Sequence, residues 1–262
     1  MRFFVIFAIF SLFLTFSWAG EYQFNPDPQS YVIEKIESHD IIFLGTTHKR
    51  SQILNFISSL IPKLHKVGVS HLCLEIDSDQ QHKVDHYIQT GEGLYDIEIW
   101  PPIDCPEYRR LLTIIRDLPA NERPSPVCID LPKTRHGKEI NRDEWMAMSI
   151  SKIFHNNPGA KVFVKIGSLH TLKKLDWQDH VPNKRVSIRE ELTRLLPNAR
   201  VFSIVNVIDQ KPDKCDFTSE FDLIPAAVDC DERFLGWKAG FLSVIAIKPA
   251  EVCTLVDGLI IY

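Results

Sequence analysis

The chain has no dense basic block, only a short cationic stretch at residues 133–138, and its formal net charge is −4. Nucleic acid is therefore not an expected partner, because phosphate recognition leaves a clustered cationic footprint. No C-x-x-C pair occurs, which argues against zinc ribbons and thioredoxin-type redox sites. Six cysteines, at positions 73, 105, 128, 215, 230 and 253, are too few and too scattered for a disulfide scaffold. In an oxidising compartment they could form up to three bridges. Cys73 and Cys128, however, lie in apolar, strand-like runs where a buried free thiol accounts for them equally well. No segment is low in complexity, and no linker separates independently folding pieces.

A hydrophobic content of 45% over 262 residues is enough for a sizeable core. The first twenty residues, MRFFVIFAIFSLFLTFSWAG, place Arg2 before an unbroken apolar run and end in Ser17-Trp18-Ala19. This reads as a secretory signal over residues 1–19, cut after Ala19 and followed by one domain over residues 20–262. The competing reading is a retained anchor, since the run is a little shorter than the roughly 20 residues that span a bilayer. The expectation is an exported chain, periplasmic or secreted, that meets a membrane only through this segment. No cysteine lies near the cut to accept a lipid.

Beyond this segment the apolar period alternates between helix and strand. SYVIEKIESHD reads as a helix, IIFLG as a strand, SQILNFISSLIPKLHKVG as a helix and HLCLEID as a strand. QQHKVDHYIQT, the loop-like GEGLYDIEIWPPIDCP, the helix EYRRLLTIIRDL and the strand PVCIDL follow. The order then returns with the helix NRDEWMAMSISKIF, the strand KVFVKIG, the helix VSIREELTRLL and the strand ARVFSIVNV. Crossover helices between apolar strands predict an α/β fold: a mostly parallel, mixed central sheet flanked by helices, built from two pseudo-repeated halves. FLSVIAI and CTLVDGLIIY read as two further strands, and the turn-rich residues 209–234 as a loop or flap.

Two apolar strands stop in the same way, IIFLGTTH at His48 and VFVKIGSLH at His170. Side chains just beyond the C-terminal ends of parallel strands converge on one crevice, so these imidazoles can meet although 122 positions apart. Glycine at each exit, Gly45 and Gly167, permits a tight turn and leaves room for something to approach, with Thr46 beside it. The motif alone is weak, because eleven glycines and ten histidines give about 0.4 chance matches to Gly-x-x-His in a chain of this length. A third match, ending in His71, precedes a strand, where Gly68 serves as a helix stop and the histidine is structural. Paired at equivalent strand ends, His48 and His170 can share one divalent metal, or one can act as general base while the other meets developing negative charge.

Glu75 stands near the end of HLCLEID among apolar residues, where an ionised carboxylate needs a cation or several donors; otherwise it faces solvent or caps the next helix. Asp77 and Asp79 read as loop and cap acids. Asn141 and Glu144 fit a capping box at the start of the helix that carries Met146, Ile150, Ile153 and Phe154 as its apolar stripe. Arg142, in its first turn, points either towards the crevice or to the surface. Trp100, Trp177 and Trp237 read as loop, rim and core residues.

At IIFLGTTH, LCLEID, NRDEWMAMSI, KVFVKIGSLH and the terminal VDGLIIY, the sequence resembles the superfamily joining erythromycin esterase-like hydrolases, haem-binding ChaN-like proteins, TraB domains and Tiki-type metalloproteases. The resemblance covers nearly all of the chain after residue 19. It implies that His48, His170 and Glu75 form the active-site set and bind a divalent metal. The Arg142 to Ala147 segment is similar to the superfamily's Arg-x-x-x-Met-Ala helix, which makes Arg142 a site residue. Esterase-like members have Gly-Glu-x-His at the first motif; Thr46 instead matches the Gly-Thr-x-His form of TraB and Tiki domains. The tyrosine ligand of the haem-binding branch has no assignable position here, so haem is an unsupported cofactor.

The expectation is an exported hydrolase acting on an ester or peptide bond, in which a metal held by His48, Glu75 and His170 activates water and Arg142 holds substrate or oxyanion. Without metal, the same residues serve with His48 as general base and Glu75 orienting it. The alternative from another class is a secreted haem- or ligand-binding module without catalysis. A third is an interaction factor with a vestigial site that contacts its partner through residues 210–234. Substrate identity, set by residues 80–106 and 210–234, and oligomeric state are not readable from the sequence.

Overall fold

Strands with every side chain buried need helices on both faces, and the chain supplies them. The computed structural model describes residues 24–137, 140–173, 186–207, 225–231 and 252–262. Helix α1 (Pro28–Ser38) opens on Asp27, whose carboxylate accepts from Gln29 N–H, with Pro28 in the first turn. Strand β1 (Ile41–Thr46) is buried at all six positions. Helix α2 (Ser51–Leu64) turns Ile53, Leu54, Ile57, Leu60, Ile61 and Leu64 inward, the stripe expected of an amphipathic helix. Gly68, at φ 83°, then turns the chain into β2 (His71–Asp77). There follow α3 (Gln81–Thr90), α4 (Pro106–Asp117), β3 (Ser125–Asp130), α5 (Arg142–Asn156), β4 (Val162–Gly167), α6 (Ile188–Leu195), β5 (Val201–Val207), β6 (Ala226–Asp229), α7 (Val252–Leu255) and β7 (Gly258–Ile261).

The seven described strands lie in the order β3-β2-β4-β1-β5-β7-β6. All pairings are parallel except β6 with β7, so the sheet is mixed and mostly parallel, as the alternating pattern predicts. From β1 the chain moves outward to β2 and β3, then returns to place β4 directly beside β1. Such a reversal opens a crevice at the carboxyl ends of the two strands. One face of the sheet packs Leu44, Leu74, Phe163 and Ile204 against Ile57, Ile61 and Leu111 of α2 and α4. The other packs Phe43, Val164 and Ile166 against Met146 and Ile150 of α5 and Ile188 and Leu192 of α6.

Three expectations are corrected. The turn-rich stretch contains a strand, β6, which pairs antiparallel with β7, and Ala227 also bridges Asn25. A four-residue edge strand of Ala-Ala-Val-Asp has neither the length nor the alternation that marks a strand in sequence. CTLVDGLIIY is a short helix, α7, followed by a strand starting only at Gly258. Asn141 caps α5 through Asp143 N–H at 2.9 Å, whereas a reciprocal capping box forms at Ser187 and Glu190 of α6. Cys73, Cys105, Cys128, Cys230 and Cys253 are free thiols among the described residues. The signal segment, FLSVIAI and Cys215 lie outside the described residues, as does most of the expected flap.

Candidate active site

Thr46 and Gly167 are register partners at the ends of β1 and β4, so His48 and His170 leave the sheet from neighbouring strand exits. Gly45 makes this closeness possible. A Cβ there would sit 2.9 Å from Ser168 Cα and 3.1 Å from both Ser168 Oγ and Thr171 Oγ1, in the turn that carries His170. Its backbone is not in the left-handed region, so the constraint is space alone. Gly45→Ala is expected to force that turn off the end of β1, lowering stability by about 1–3 kcal/mol, as overpacking does. Urea denaturation measures this; a variant as stable as the wild type would show that the turn yields freely. Gly167 differs, since a Cβ there would meet only ordinary contacts, the nearest at 3.6 Å. What Gly167 contributes is its N–H, which donates to Glu75 Oε2 at 2.8 Å.

Glu75 is the centre of a closed network. Its other oxygen, Oε1, accepts from Arg142 Nη2 at 2.8 Å. Arg142 also grips Asp130, at the end of β3, through Nε at 2.7 Å and Nη2 at 2.6 Å. Its Nη1 lies 3.0 Å from His170 Nε2, and His170 Nδ1 lies 2.6 Å from Asp143 Oδ1. Four elements thus meet at one guanidinium. A guanidinium only donates, so the Nη1 contact describes a neutral His170 that accepts at Nε2 and donates its Nδ1–H to Asp143. Burial would lower the pKa of His170, but the Asp143 hydrogen bond and charge outweigh it and hold the pKa above the ordinary histidine value. Protonation therefore exchanges the Arg142 contact for a cationic ring held by Asp143. Burial would likewise raise the pKa of Glu75; the charges of Lys165, His170 and Arg142 and the Gly167 N–H keep it below the usual carboxylate range.

His48 belongs to the same cluster by field rather than by contact. Burial lowers its pKa, Glu75 opposes this, and Lys165, His170 and Arg142 add to it, so the ring is a neutral base at pH 7. Its ring meets the edge of Trp100, with centroids 5.4 Å apart at 89°, and makes no hydrogen bond among the described residues. Lys165, on β4, is fully buried with Nζ 4.0 Å over the Tyr108 ring, and burial brings its pKa down to about 8.

The remaining candidates separate. The Thr46 hydroxyl donates to Ile166 O at 3.2 Å, which ties β1 to β4 and leaves that donor unavailable to a substrate. His71 sits at the start of β2, at the other end of the sheet, with Nδ1 2.8 Å from Ser70 Oγ. Asp130, Asp143, Lys165 and Tyr108 were not singled out from the sequence. Two of them carried a signal: Asp130 ends an apolar strand as Glu75 does, and Lys165 interrupts the apolar run VFVKIG.

A divalent metal does not fit the expected set of His48, Glu75 and His170. Both Glu75 oxygens and both His170 nitrogens are engaged, and Arg142 brings its positive charge to the place a cation would occupy. Among the described residues no group of three His, Cys, Asp or Glu side chains converges as metal ligands. The tyrosine nearest the site does not fit as a haem ligand. Tyr108, beneath the site, donates its hydroxyl to Glu75 O at 3.4 Å, and burial drives its pKa well above that of an ordinary phenol, away from the phenolate that iron would need.

No family sequence model and no curated protein matches the chain. Solved structures do. An erythromycin esterase mutant, EreC, in its open conformation aligns with a TM-score of 0.67 at 11% identity, covering 88% of this chain and 92% of that one. A Bacillus cereus protein aligns with a TM-score of 0.63 at 13% identity, covering 90% and 91%. ChaN of Campylobacter jejuni, solved with cofacially bound haem, aligns with a TM-score of 0.50 at 11% identity, covering 89% and 91%. At such identities the likeness is one of fold, and in fold the chain is similar to both the erythromycin esterase-like and the ChaN-like branches of the superfamily that its motifs resemble.

Proposed function

We propose that the chain is an exported hydrolase of ester or peptide bonds that works without a metal, with His48 as its general base. The observation that carries this reading is the division of labour at the strand ends. Glu75, Arg142, Asp130, His170 and Asp143 are locked to one another, whereas the His48 imidazole is neutral and free of hydrogen bonds among the described residues. A neutral imidazole beside a fixed, partly cationic network is what water activation needs. The ring nitrogen takes a proton from water as its oxygen attacks the carbonyl carbon, and later returns that proton to the leaving group. Arg142, held in place by Asp130 and Glu75, keeps one Nη1–H that no contact among the described residues uses, and this preorganised donor meets the oxyanion as it develops. Glu75 holds Arg142 in position rather than acting as a ligand. The fold shared with an esterase structure supports hydrolysis as the reaction class.

The test is hydrolysis of a panel of p-nitrophenyl esters and short peptides before and after exhaustive dialysis against a chelator. Turnover that survives dialysis is expected. Turnover that disappears and returns with added zinc or manganese would restore the metal version and sink this one. Sequencing the N-terminus of the exported protein tests removal of residues 1–19.

A further inference from the structure

Arg142 is largely committed: four of its five N–H donors go to Asp130, Glu75 and His170. Lys165 is not. Among the described residues its ammonium has the face of Tyr108 as its partner, and no oxygen accepts from it. The residue is only 1% exposed. A ring face offsets part of the cost of burying an ammonium, but buried charges are ordinarily paired and hydrogen-bonded. Glu75 lies within its field and yet gives both of its oxygens to Arg142 and Gly167.

Side-chain alternation fixes which way Lys165 faces. Phe163, two residues earlier on β4, packs on the α2 and α4 side of the sheet, so Lys165 stands on that side too. Asn206 on β5 follows Ile204 on the same side. Asn206 Nδ2 donates to Gly45 O at 2.6 Å, and because a carbonyl only accepts, the amide orientation is settled. Its Oδ1 then lies buried with no partner. β4 and β5 flank β1, so the two residues stand two strand spacings apart across the sheet, about 10 Å, with Asn206 two residues further along its strand. The α2 and α4 side of the sheet therefore carries, near the strand ends, an unanswered donor charge and an unanswered acceptor.

We propose that Lys165 is the anion-receiving group of this crevice, seating a carboxylate of the ligand while Asn206 Oδ1 accepts from an N–H or O–H further along it. The proposal gives the hydrolase read above a substrate class, carboxylate-bearing esters or amides, and rests on that reading for turnover but not for binding.

The test compares monomethyl succinate with dimethyl succinate, an anionic and a neutral ester of nearly the same shape, by calorimetry on the full chain. Wild type is expected to bind the anionic probe at least ten-fold more tightly. Lys165→Met should level the two affinities, and Lys165→Arg should keep part of the preference. Lys165→Met should also melt at or above the wild-type temperature, because it removes a buried charge; a lowered melting temperature with the preference intact would make Lys165 a structural prop of Tyr108. If Lys165→Met does not fold, Lys165→Gln reads the same loss. No anionic preference in wild type, or an unchanged preference in Lys165→Met, overturns the proposal. Preference without turnover of any ester would sink the hydrolase reading alone, and turnover without preference would sink the anion site alone.

Discussion

Arg142→Ala is expected to cost about 3–5 kcal/mol of stability at pH 7, the penalty for breaking a buried ion pair from one side. The Glu75 side chain is 1% exposed and that of Asp130 is 7% exposed, and Arg142 pairs with both. Arg142→Lys should recover only part of the loss, since an ammonium is a point charge and cannot hold Asp130 through two nitrogens while reaching Glu75 and His170. The pH dependence has a definite sign. In the wild type the folded pKa of Glu75 is below its ordinary value, so its stabilising share is present above that value and fades as pH falls through the folded pKa. In Arg142→Ala the buried Glu75 loses that cation, and burial then favours its protonated form. The gap between wild type and variant should therefore shrink as urea denaturation is repeated from pH 7 down to pH 4. A variant as stable as the wild type at pH 7 would show that the guanidinium is not what holds these carboxylates.

This one side chain also marks where sequence reading stops. The strand-Gly-x-x-His pattern was visible because an apolar run cut short by glycine is a local signal, and parallel pairing then brings the two exits together without any detail of side-chain geometry. Glu75 was visible for a related reason: an acid at the end of a buried strand has to be answered by something. The identity of that partner was not local. A metal and a guanidinium meet the same electrostatic need, and only the direction taken by the first turn of α5 decides between them. Asp143 stood next to Arg142 in the sequence, but its role depends on the turn of His170 passing in front of it. β6 was hidden because two alanines, a valine and an aspartate carry little strand signal, and the pairing that makes them a strand belongs to β7.

His48→Ala should have the opposite profile, a loss of ester turnover by about 10²–10⁴-fold with the fold intact, the range expected for removing a general base. The residue is exposed and makes no hydrogen bond among the described residues, so its removal leaves no polar group stranded. His170→Ala is the informative contrast. It strips Asp143 and Arg142 of a partner and should lower both activity and melting temperature. The two histidines also separate by pH. His48 titrates below the ordinary histidine value and His170 above it, so between the two pKa values the base is neutral while His170 carries charge. Turnover should therefore hold as pH falls through 6.5 and decline only as His48 protonates; histidine-resolved NMR titration assigns the limb to its residue. If His48→Ala keeps wild-type turnover, or if the acid limb stays after its removal, the base lies elsewhere and the free imidazole beside the network has another purpose.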